Sequence, residues 1–148
     1  MRSLALLLLL TIPCLAEPAN LSGTWRLDLK KSKWGGHSAP QSGEIVIEHN
    51  EPKLKYTGKV TDLDGTENTY SFDGAIDGKE YPVKMGTGDQ KIIIKRLSPN
   101  SISSTLKNAD SEEEAITTLA PDSKSLVRKV RRSGPKGKSS WTEVYNRS

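Results

Sequence analysis

The sequence has 148 residues, a formal net charge of +4, one cysteine and two histidines. A single cysteine excludes an intrachain disulfide and a thiolate metal cluster, and so mild a basicity does not indicate a nucleic-acid-binding surface. The chain is long enough to form one self-supporting hydrophobic core, so stability must come from burial and backbone pairing.

Residues 1–16 have the layout of a secretory signal peptide. The positive charge of Arg2 precedes the apolar run "LALLLLLTI", and the segment ends in the small residue Ala16. Such a run is too short to anchor a protein across a bilayer. We therefore expect cleavage before Glu17 and a secreted or periplasmic mature protein without a transmembrane segment. Lipidation of Cys14 is an alternative that the preceding residues match less well, and an uncleaved apolar helix is another.

Apolar and polar residues alternate with a period of two through residues 17–148, which is typical of half-buried β-strands. No stretch shows a convincing helical period. The alternating runs, in chain order, are "TWRLDL", "GEIVIEH", "KLKYTGKV", "ENTYSFD", "EYPVKM", "QKIIIKRL", "SISSTLKN", "EEEAITTL", "SLVRKVRR" and "WTEVYN".

The links between these runs predict how the strands pair. Asp64-Gly65 and Asp77-Gly78 are hairpin signals, because glycine accepts the positive φ of a tight turn. Strands joined by such short links must be antiparallel, and closing the sheet removes its unpaired edges. We predict an all-β fold, a single antiparallel up-and-down barrel of about eight to ten strands over residues 17–148. An orthogonal sandwich or open barrel is the alternative.

Gly23-Thr24-Trp25, at the head of the first strand, resembles the G-x-W signature of the lipocalin and fatty-acid-binding barrels, the calycin superfamily. "SGTWRLDLKKSKW", "GAIDGKEYPV" and "WTEVYN" are also similar to small secreted bacterial lipocalin-like proteins. The resemblance implies a ligand-binding barrel in which Trp25 plugs one end beneath a basic side chain of the last strand, here Arg147. The glycine- and serine-containing link after the first strand is too short for the two lid helices of fatty-acid-binding proteins.

The resemblance also sets a limit on the ligand. Fatty-acid-binding proteins usually place an arginine two residues before a tyrosine in the last strand, whereas this chain has Glu143 before Tyr145. An acid there opposes a fatty carboxylate. Arg128 and Glu143 lie on the apolar faces of their strands and would form a pair in the lumen, because buried charges must be compensated. The candidate ligand-binding residues are Trp25, Tyr56, Tyr70, Arg128, Glu143 and Tyr145.

Residues that carry catalysis or bind metals are scarce. No nucleophile elbow or phosphate-binding glycine loop is present. His37 and His49 lack a third ligand at a recognisable spacing. The acidic run Glu112-Glu113-Glu114 is expected to form a solvated edge. We therefore expect no catalytic residue, no metal site and no cofactor, and a protein that is not an enzyme.

Two functional hypotheses remain open. The first is an exported, monomeric, non-enzymatic protein that binds a small, partly apolar or hydrophobic ligand in the barrel, unless side chains fill the lumen. The second is a structural or interaction domain that binds an anionic cell-envelope polymer. Its contact surface would combine Lys53, Lys55 and Lys59 with the basic hairpin at residues 131–138. Nucleic acid is not indicated, because aromatic residues that could stack on bases are few.

Overall fold

The structure is a computed structural model that describes residues 15–86 and 88–148. Most of the predicted signal peptide, Cys14 included, lies outside the described residues. The alternating runs all form strands, which are β1 Gly23–Leu27, β2 Ser42–Asn50, β3 Lys53–Thr61, β4 Glu67–Ala75, β5 Glu80–Met85, β6 Gly88–Ser98, β7 Ser101–Lys107, β8 Glu112–Leu119, β9 Ser125–Gly134 and β10 Gly137–Arg147.

The strands form a closed barrel. Each strand pairs with its neighbour in sequence, and β10 returns to pair with β1. All of these pairings are antiparallel. The prediction of an all-β up-and-down barrel without a helical lid is confirmed. Within the described ranges, no helix is long and apolar enough to cross a membrane.

The two Asp-Gly turns behave as their sequence predicts. Gly65 and Gly78 have φ angles of 85° and 75°, a region that side chains disfavour. The carboxylate of Asp64 accepts a hydrogen bond from the Thr66 amide at 2.8 Å, and that of Asp77 accepts one from Lys79 at 2.9 Å. These local bonds stabilise the tight links that join β3 to β4 and β4 to β5.

Trp25 plugs one end of the barrel, which we call the closed end. Its side chain is fully buried, and its Nε1 donates to the Leu21 carbonyl at 2.9 Å. The Arg147 guanidinium lies 4.3 Å from the centre of the indole. Arg147 is the β10 residue directly opposite Trp25, so barrel closure itself brings the two together. The packing that the resemblance implied is present.

Gly23 explains why a glycine precedes this tryptophan by two positions. Its φ is 139°, and a Cβ there would lie only 3.0 Å from the Arg147 guanidinium. The missing side chain leaves space in which Arg147 crosses the indole and donates to the Ser22 carbonyl. The glycine therefore accommodates the arginine that covers the plug.

The opposite end, which we call the mouth, is crossed by residues 28–41, which we call the mouth loop. This loop contains no helix. Lys33 and Thr142 exchange backbone hydrogen bonds at 2.7 and 2.8 Å. The Ser32 hydroxyl accepts from the Val144 amide at 2.9 Å. These contacts hold the loop along β10 and carry its tip over the lumen.

Candidate ligand-binding site

A cavity of about 390 Å³ lies inside the barrel. Alternate side chains of β2 to β10 point into it, and most of the residues that line it are apolar. Its volume falls within the range of about 300–1,000 Å³ that is usual for small-molecule sites. The apolar lining residues are Leu21, Ile45, Ile47, Leu54, Val60, Val83, Met85, Ile92, Ile94, Ile102, Leu106 and Leu126.

One wall of the cavity is aromatic. Tyr56 stacks on Phe72 with ring centres 5.1 Å apart, and Tyr70 meets Tyr56 edge-on at 6.0 Å. Gly58 makes room for this arrangement, since a Cβ there would lie 2.0 Å from Cζ of Tyr70. Burial raises the pKa of Tyr70 to about 12 and that of Tyr56 well above its ordinary value. Both phenols are therefore neutral at physiological pH.

Glu143 occupies the centre of a polar cluster on the opposite wall. It is buried and directly faces Arg128 across β9 and β10. Arg128 Nη1 donates to its two carboxylate oxygens at 3.1 and 3.2 Å. Trp141 Nε1 adds a bond at 2.6 Å and the Tyr145 hydroxyl one at 2.9 Å. Each oxygen of Glu143 therefore accepts two hydrogen bonds, which compensates for its burial.

A second carboxylate, that of Glu113 on β8, extends this cluster. Arg128 Nη2 donates to Glu113 Oε1 at 2.9 Å. Arg132 donates to Glu113 Oε2 from Nη2 at 2.6 Å and from Nε at 3.2 Å, while its guanidinium lies 5.2 Å from the Trp141 ring centre. The four side chains Arg132, Glu113, Arg128 and Glu143 thus form a continuous chain of alternating charge, which we call the lumen cluster.

The contacts of the lumen cluster shift the pKa values of Arg128, Glu113 and the neighbouring Tyr145. Burial lowers the pKa of Arg128, but Glu143 and Glu113 outweigh burial and raise it above its ordinary value. Burial raises the pKa of Glu113, but Arg128 and Arg132 outweigh it and hold that pKa below the usual range. Burial and then Glu143 raise the pKa of Tyr145. Arg128 and Glu113 are consequently both charged at neutral pH, and Tyr145 is neutral.

The structure brings five of the six candidate residues to the cavity wall: Tyr56, Tyr70, Arg128, Glu143 and Tyr145. Trp25 is the exception, and the prediction that it contacts a ligand is corrected. It does not line the cavity, because Leu21 and Arg147 enclose it at the closed end. Its place is in the plug alone.

Sequence reasoning missed Glu113, Arg132 and Trp141 as members of this site. The expectation of a solvated acidic edge is wrong for Glu113, whose side chain is only 11% exposed. The strand alternation contained the signal, because Glu113 shares a face with the buried residues Ala115 and Leu119. Its partner Arg132 lies directly opposite on β9.

Of the comparisons with known proteins, the one with solved structures gives matches. No protein-family model matches this sequence, and no curated protein matches it. A Schistosoma mansoni fatty acid binding protein in complex with arachidonic acid superposes with a TM-score of 0.62 at 12% identity, over 90% of this chain and 99% of that one. The zebrafish ileal bile acid-binding protein complexed with cholic acid gives 0.60 at 14% identity, over 88% of this chain and all of that one.

A third structure extends the same pattern. A mutant of the fluorescent protein UnaG superposes with a TM-score of 0.54 at 15% identity, over 86% of this chain and 96% of that one. The fold of this chain is calycin-like. At these identities the likeness concerns the backbone arrangement, and each side chain of the site has to be interpreted from its own contacts.

The mouth of this calycin-like barrel holds a second pocket of about 570 Å³ beneath the mouth loop. Its lining includes Trp34, His37 and Leu63. The His37 ring lies 4.5 Å from that of Trp141. The two pockets share Trp141 and four further wall residues, Val60, Arg132, Glu143 and Tyr145, so they adjoin each other under this loop.

The two histidines lie at opposite ends of the calycin-like barrel. His49, near the closed end, has Nδ1 accepting from the Leu21 amide at 3.1 Å and Nε2 2.7 Å from a Glu51 carboxylate oxygen. These contacts give it a structural role. Among the described residues, no group of three metal-ligating side chains converges.

The basic residues of the second functional hypothesis are dispersed. Lys53 and Lys55 are exposed on β3, but the Lys59 ammonium lies 2.5 Å from Glu67. Arg132 belongs to the lumen cluster. A polyanion at this surface would therefore compete with carboxylates that already hold two of the cations.

Proposed function

We propose that this chain is a non-enzymatic binding protein that holds a small, largely apolar molecule inside its barrel. The observation that carries the proposal is the cavity of about 390 Å³, which is lined mostly by apolar side chains and adjoins the pocket at the mouth. A few polar groups among apolar walls are the usual composition of a ligand site, because apolar contact supplies affinity and polar groups set orientation.

The roles of the candidate residues follow from their positions. Tyr56 and Tyr70 offer aromatic surface and hydroxyl groups on one wall. Arg128, Glu143 and Tyr145 present polar atoms on the other. A ligand between these walls would contact both. The structural neighbours support the proposal of a small-molecule site, because two of them contain an amphipathic carboxylic acid, cholic acid or arachidonic acid.

The proposal includes export. Residues 1–16 have the charge, apolar run and small terminal residue of a signal peptide. We propose that the mature chain begins at Glu17 and acts in the periplasm or outside the cell, with lipidation of Cys14 as the alternative. The mass of the protein recovered from the cell envelope and medium distinguishes these cases, since a lipidated chain would begin at Cys14 and carry acyl groups.

The test of ligand binding uses a pair of substitutions on neighbouring residues of β2. Ile45 lines the cavity, whereas Val46 points outward and is 40% exposed. The uncharged dye N-phenylnaphthylamine, which fluoresces in apolar surroundings, should bind the unmodified protein. Ile45→Trp should fill the cavity and reduce dye affinity about tenfold or more, which corresponds to about 1.4 kcal/mol.

Val46→Trp is the matched control, because it adds the same ring outside the barrel. It should bind the dye like the unmodified protein. Equal dye binding by both variants would place the dye on the surface and contradict the proposal. Native mass spectrometry of protein purified without denaturation adds a second readout, in which a co-purified small molecule should be lost from Ile45→Trp and retained by Val46→Trp.

A further inference from the structure

The charge of the lumen cluster bears on the chemical class of the ligand. Arg128 and Arg132 are the cations that line the cavity, and Arg128 lies between two carboxylates. Glu143 is 3.1 Å away on one side and Glu113 is 2.9 Å away on the other. Arg132 binds the far oxygen of Glu113 at 2.6 Å, at the edge of the cluster. The charge of the Arg128 guanidinium, which could otherwise bind an anion, is thus already compensated by two carboxylates.

A ligand carboxylate near Arg128 would become the third anionic group around one guanidinium. It would meet the repulsion of Glu113 and Glu143 at short range, in surroundings where charges are poorly screened. Displacing either glutamate would leave a buried carboxylate without its cation, which is strongly unfavourable. A ligand cation would gain little more, because Glu143 already accepts four hydrogen bonds.

On the opposite wall, the hydroxyl groups of Tyr56 and Tyr70 can still form a hydrogen bond, unlike those of the other two tyrosines. Tyr145 donates to Glu143, and Tyr81 donates to Asp77 outside the cavity. By contrast, within residues 15–86 and 88–148 the Tyr56 and Tyr70 hydroxyls have no hydrogen-bond partner, and it is burial, followed by nearby charges, that raises their pKa values. Both side chains line the cavity. A buried hydroxyl gains from a polar partner, and a ligand can supply one.

We infer that the ligand is an uncharged, largely apolar molecule with a hydroxyl or carbonyl group that hydrogen-bonds to Tyr56 or Tyr70, and that the lumen cluster discriminates against carboxylates. This inference rests on the proposed function, since it names the class of molecule that the cavity takes. It separates this site from one that captures an acid by its carboxylate.

The experiment measures displacement of N-phenylnaphthylamine by three probes of equal chain length: decanol, decanoate and decylamine. Decanol should displace the dye at a concentration at least about tenfold lower than decanoate or decylamine, a difference of about 1.4 kcal/mol. If decanoate displaces the dye as well as decanol does, the inference is overturned while the proposed function stands. If neither the dye nor any probe binds, both are overturned.

Two neighbouring glutamates on β8 provide a matched pair of variants. Glu113→Gln removes one carboxylate from Arg128, so decanoate should gain about tenfold relative to decanol. Glu114 is exposed and points outward, so Glu114→Gln changes the net charge equally and should leave the ratio unchanged. The same gain in both variants would attribute the effect to net charge and contradict the inference. If Glu113→Gln does not fold, the ratio measured on the unmodified protein still decides.

A second pair tests the hydrogen bond. Tyr70→Phe and Tyr56→Phe together should weaken decanol several-fold and leave decanoate nearly unchanged. Tyr81→Phe is the control, because its hydroxyl bonds to Asp77 and its side chain does not line the cavity. Equal binding of decanol to the doubly substituted protein and to Tyr81→Phe would show that the tyrosine hydroxyls do not select the ligand.

Discussion

At the scale of single residues, Trp25 stabilises the barrel through the burial of its indole and through the contact of that ring with Arg147. Its indole is fully removed from water, has its one donor satisfied by Leu21, and lies beneath the Arg147 guanidinium. A cation over an indole adds on the order of 1 kcal/mol to the apolar term. Trp34 has no comparable setting, because it lies half-buried in the mouth loop with an unpartnered Nε1.

We therefore predict unequal effects of removing these two tryptophans. Trp25→Ala should lower the free energy of unfolding by about 3–5 kcal/mol, because it leaves a cavity at the closed end. That loss is a large share of the stability of a domain this size. Trp34→Ala should cost clearly less. Urea unfolding of both variants measures the difference, and small, equal losses would show that Trp25 is not the plug.

Gly58 is a residue whose importance comes from what it lacks. A methyl group there would overlap the ring of Tyr70, with 2.0 Å to its Cζ and 2.4 Å to its hydroxyl oxygen. Gly58→Ala should displace that ring, lower the free energy of unfolding by about 1–3 kcal/mol and weaken dye binding. Gly86→Ala is the control, because a Cβ there meets open space. Equal melting temperatures for the two variants would contradict this account.

At the scale of strands, the alternation of residues predicted nearly all of the fold. It identified the ten strands because each half-buried strand repeats apolar residues with a period of two. It also placed Arg128 and Glu143 on inward faces. It also indicated the inward face of Glu113, but it could not show that Glu113 contacts Arg128 and Arg132, because alternation assigns a face within one strand and does not give the register between strands. Arg132 opposes Glu113 only because β8 and β9 pair in the register observed.

Unlike the strands, the mouth loop follows a path that the sequence did not predict. Its residues carry no period, so sequence reasoning excluded lid helices but gave no path for the chain. The path depends on distant partners. The Lys33 backbone bonds to the Thr142 backbone, and the Asp28 carboxylate accepts a hydrogen bond from the side-chain amide of Asn146 at 2.9 Å. These contacts join residues more than a hundred positions apart, and local sequence does not encode them.

The ion pairs of the lumen cluster predict an effect of pH on stability. Because Arg128 and Arg132 hold the pKa of Glu113 below its ordinary value of 4.5, its contribution is complete above pH 4.5. That contribution is lost as pH falls through the lower pKa of the folded protein. Each unit of lowering corresponds to about 1.4 kcal/mol. Glu113→Gln should therefore have a shallower fall of unfolding free energy with acid than the unmodified protein.

The control for this acid prediction is Glu114→Gln, since Glu114 is exposed on the outer face of the same strand. It should retain the steep fall. Chemical denaturation repeated at several pH values between neutrality and about pH 3, below the ordinary glutamate pKa, measures both curves. Parallel curves for the two variants would indicate that the lumen cluster does not hold Glu113 in its charged form.

At the scale of the whole molecule, closure of the barrel stabilises the fold without a covalent cross-link. The pairing of β1 with β10 closes the barrel, so none of the strands in the described residues is an open edge of the sheet, and the single cysteine permits no intrachain disulfide. Closure could be predicted from sequence, because an even meander of short strands otherwise exposes two edges. The open cavity could not, since it depends on the summed volumes and rotamers of side chains from all ten strands.

The whole barrel should lose stability in alkali, because its lumen buries phenols. Burial raises the pKa of Tyr56, Tyr70 and Tyr145 above the ordinary value of 10, in Tyr70 to about 12. Above pH 10 the unfolded chain releases protons that the folded chain retains. The free energy of unfolding is thus unaffected by these phenols below pH 10, and it falls as pH rises through the folded pKa values.

Between pH 10 and 12 this fall should reach about 1.4 kcal/mol per pH unit for each buried tyrosine. The tyrosinate absorbance of these three residues should therefore appear together with the loss of β-sheet circular dichroism, in one cooperative step, whereas Tyr81, whose hydroxyl bonds to Asp77 outside the cavity, contributes independently of unfolding. Tyr56→Phe, Tyr70→Phe and the double variant should each reduce the slope, since each removes a phenol that ionises only on unfolding. Tyrosinate absorbance that reaches its full value near pH 10 while the β-sheet signal persists would mean that water already reaches these hydroxyls, and that the lumen is wetter than its apolar walls imply.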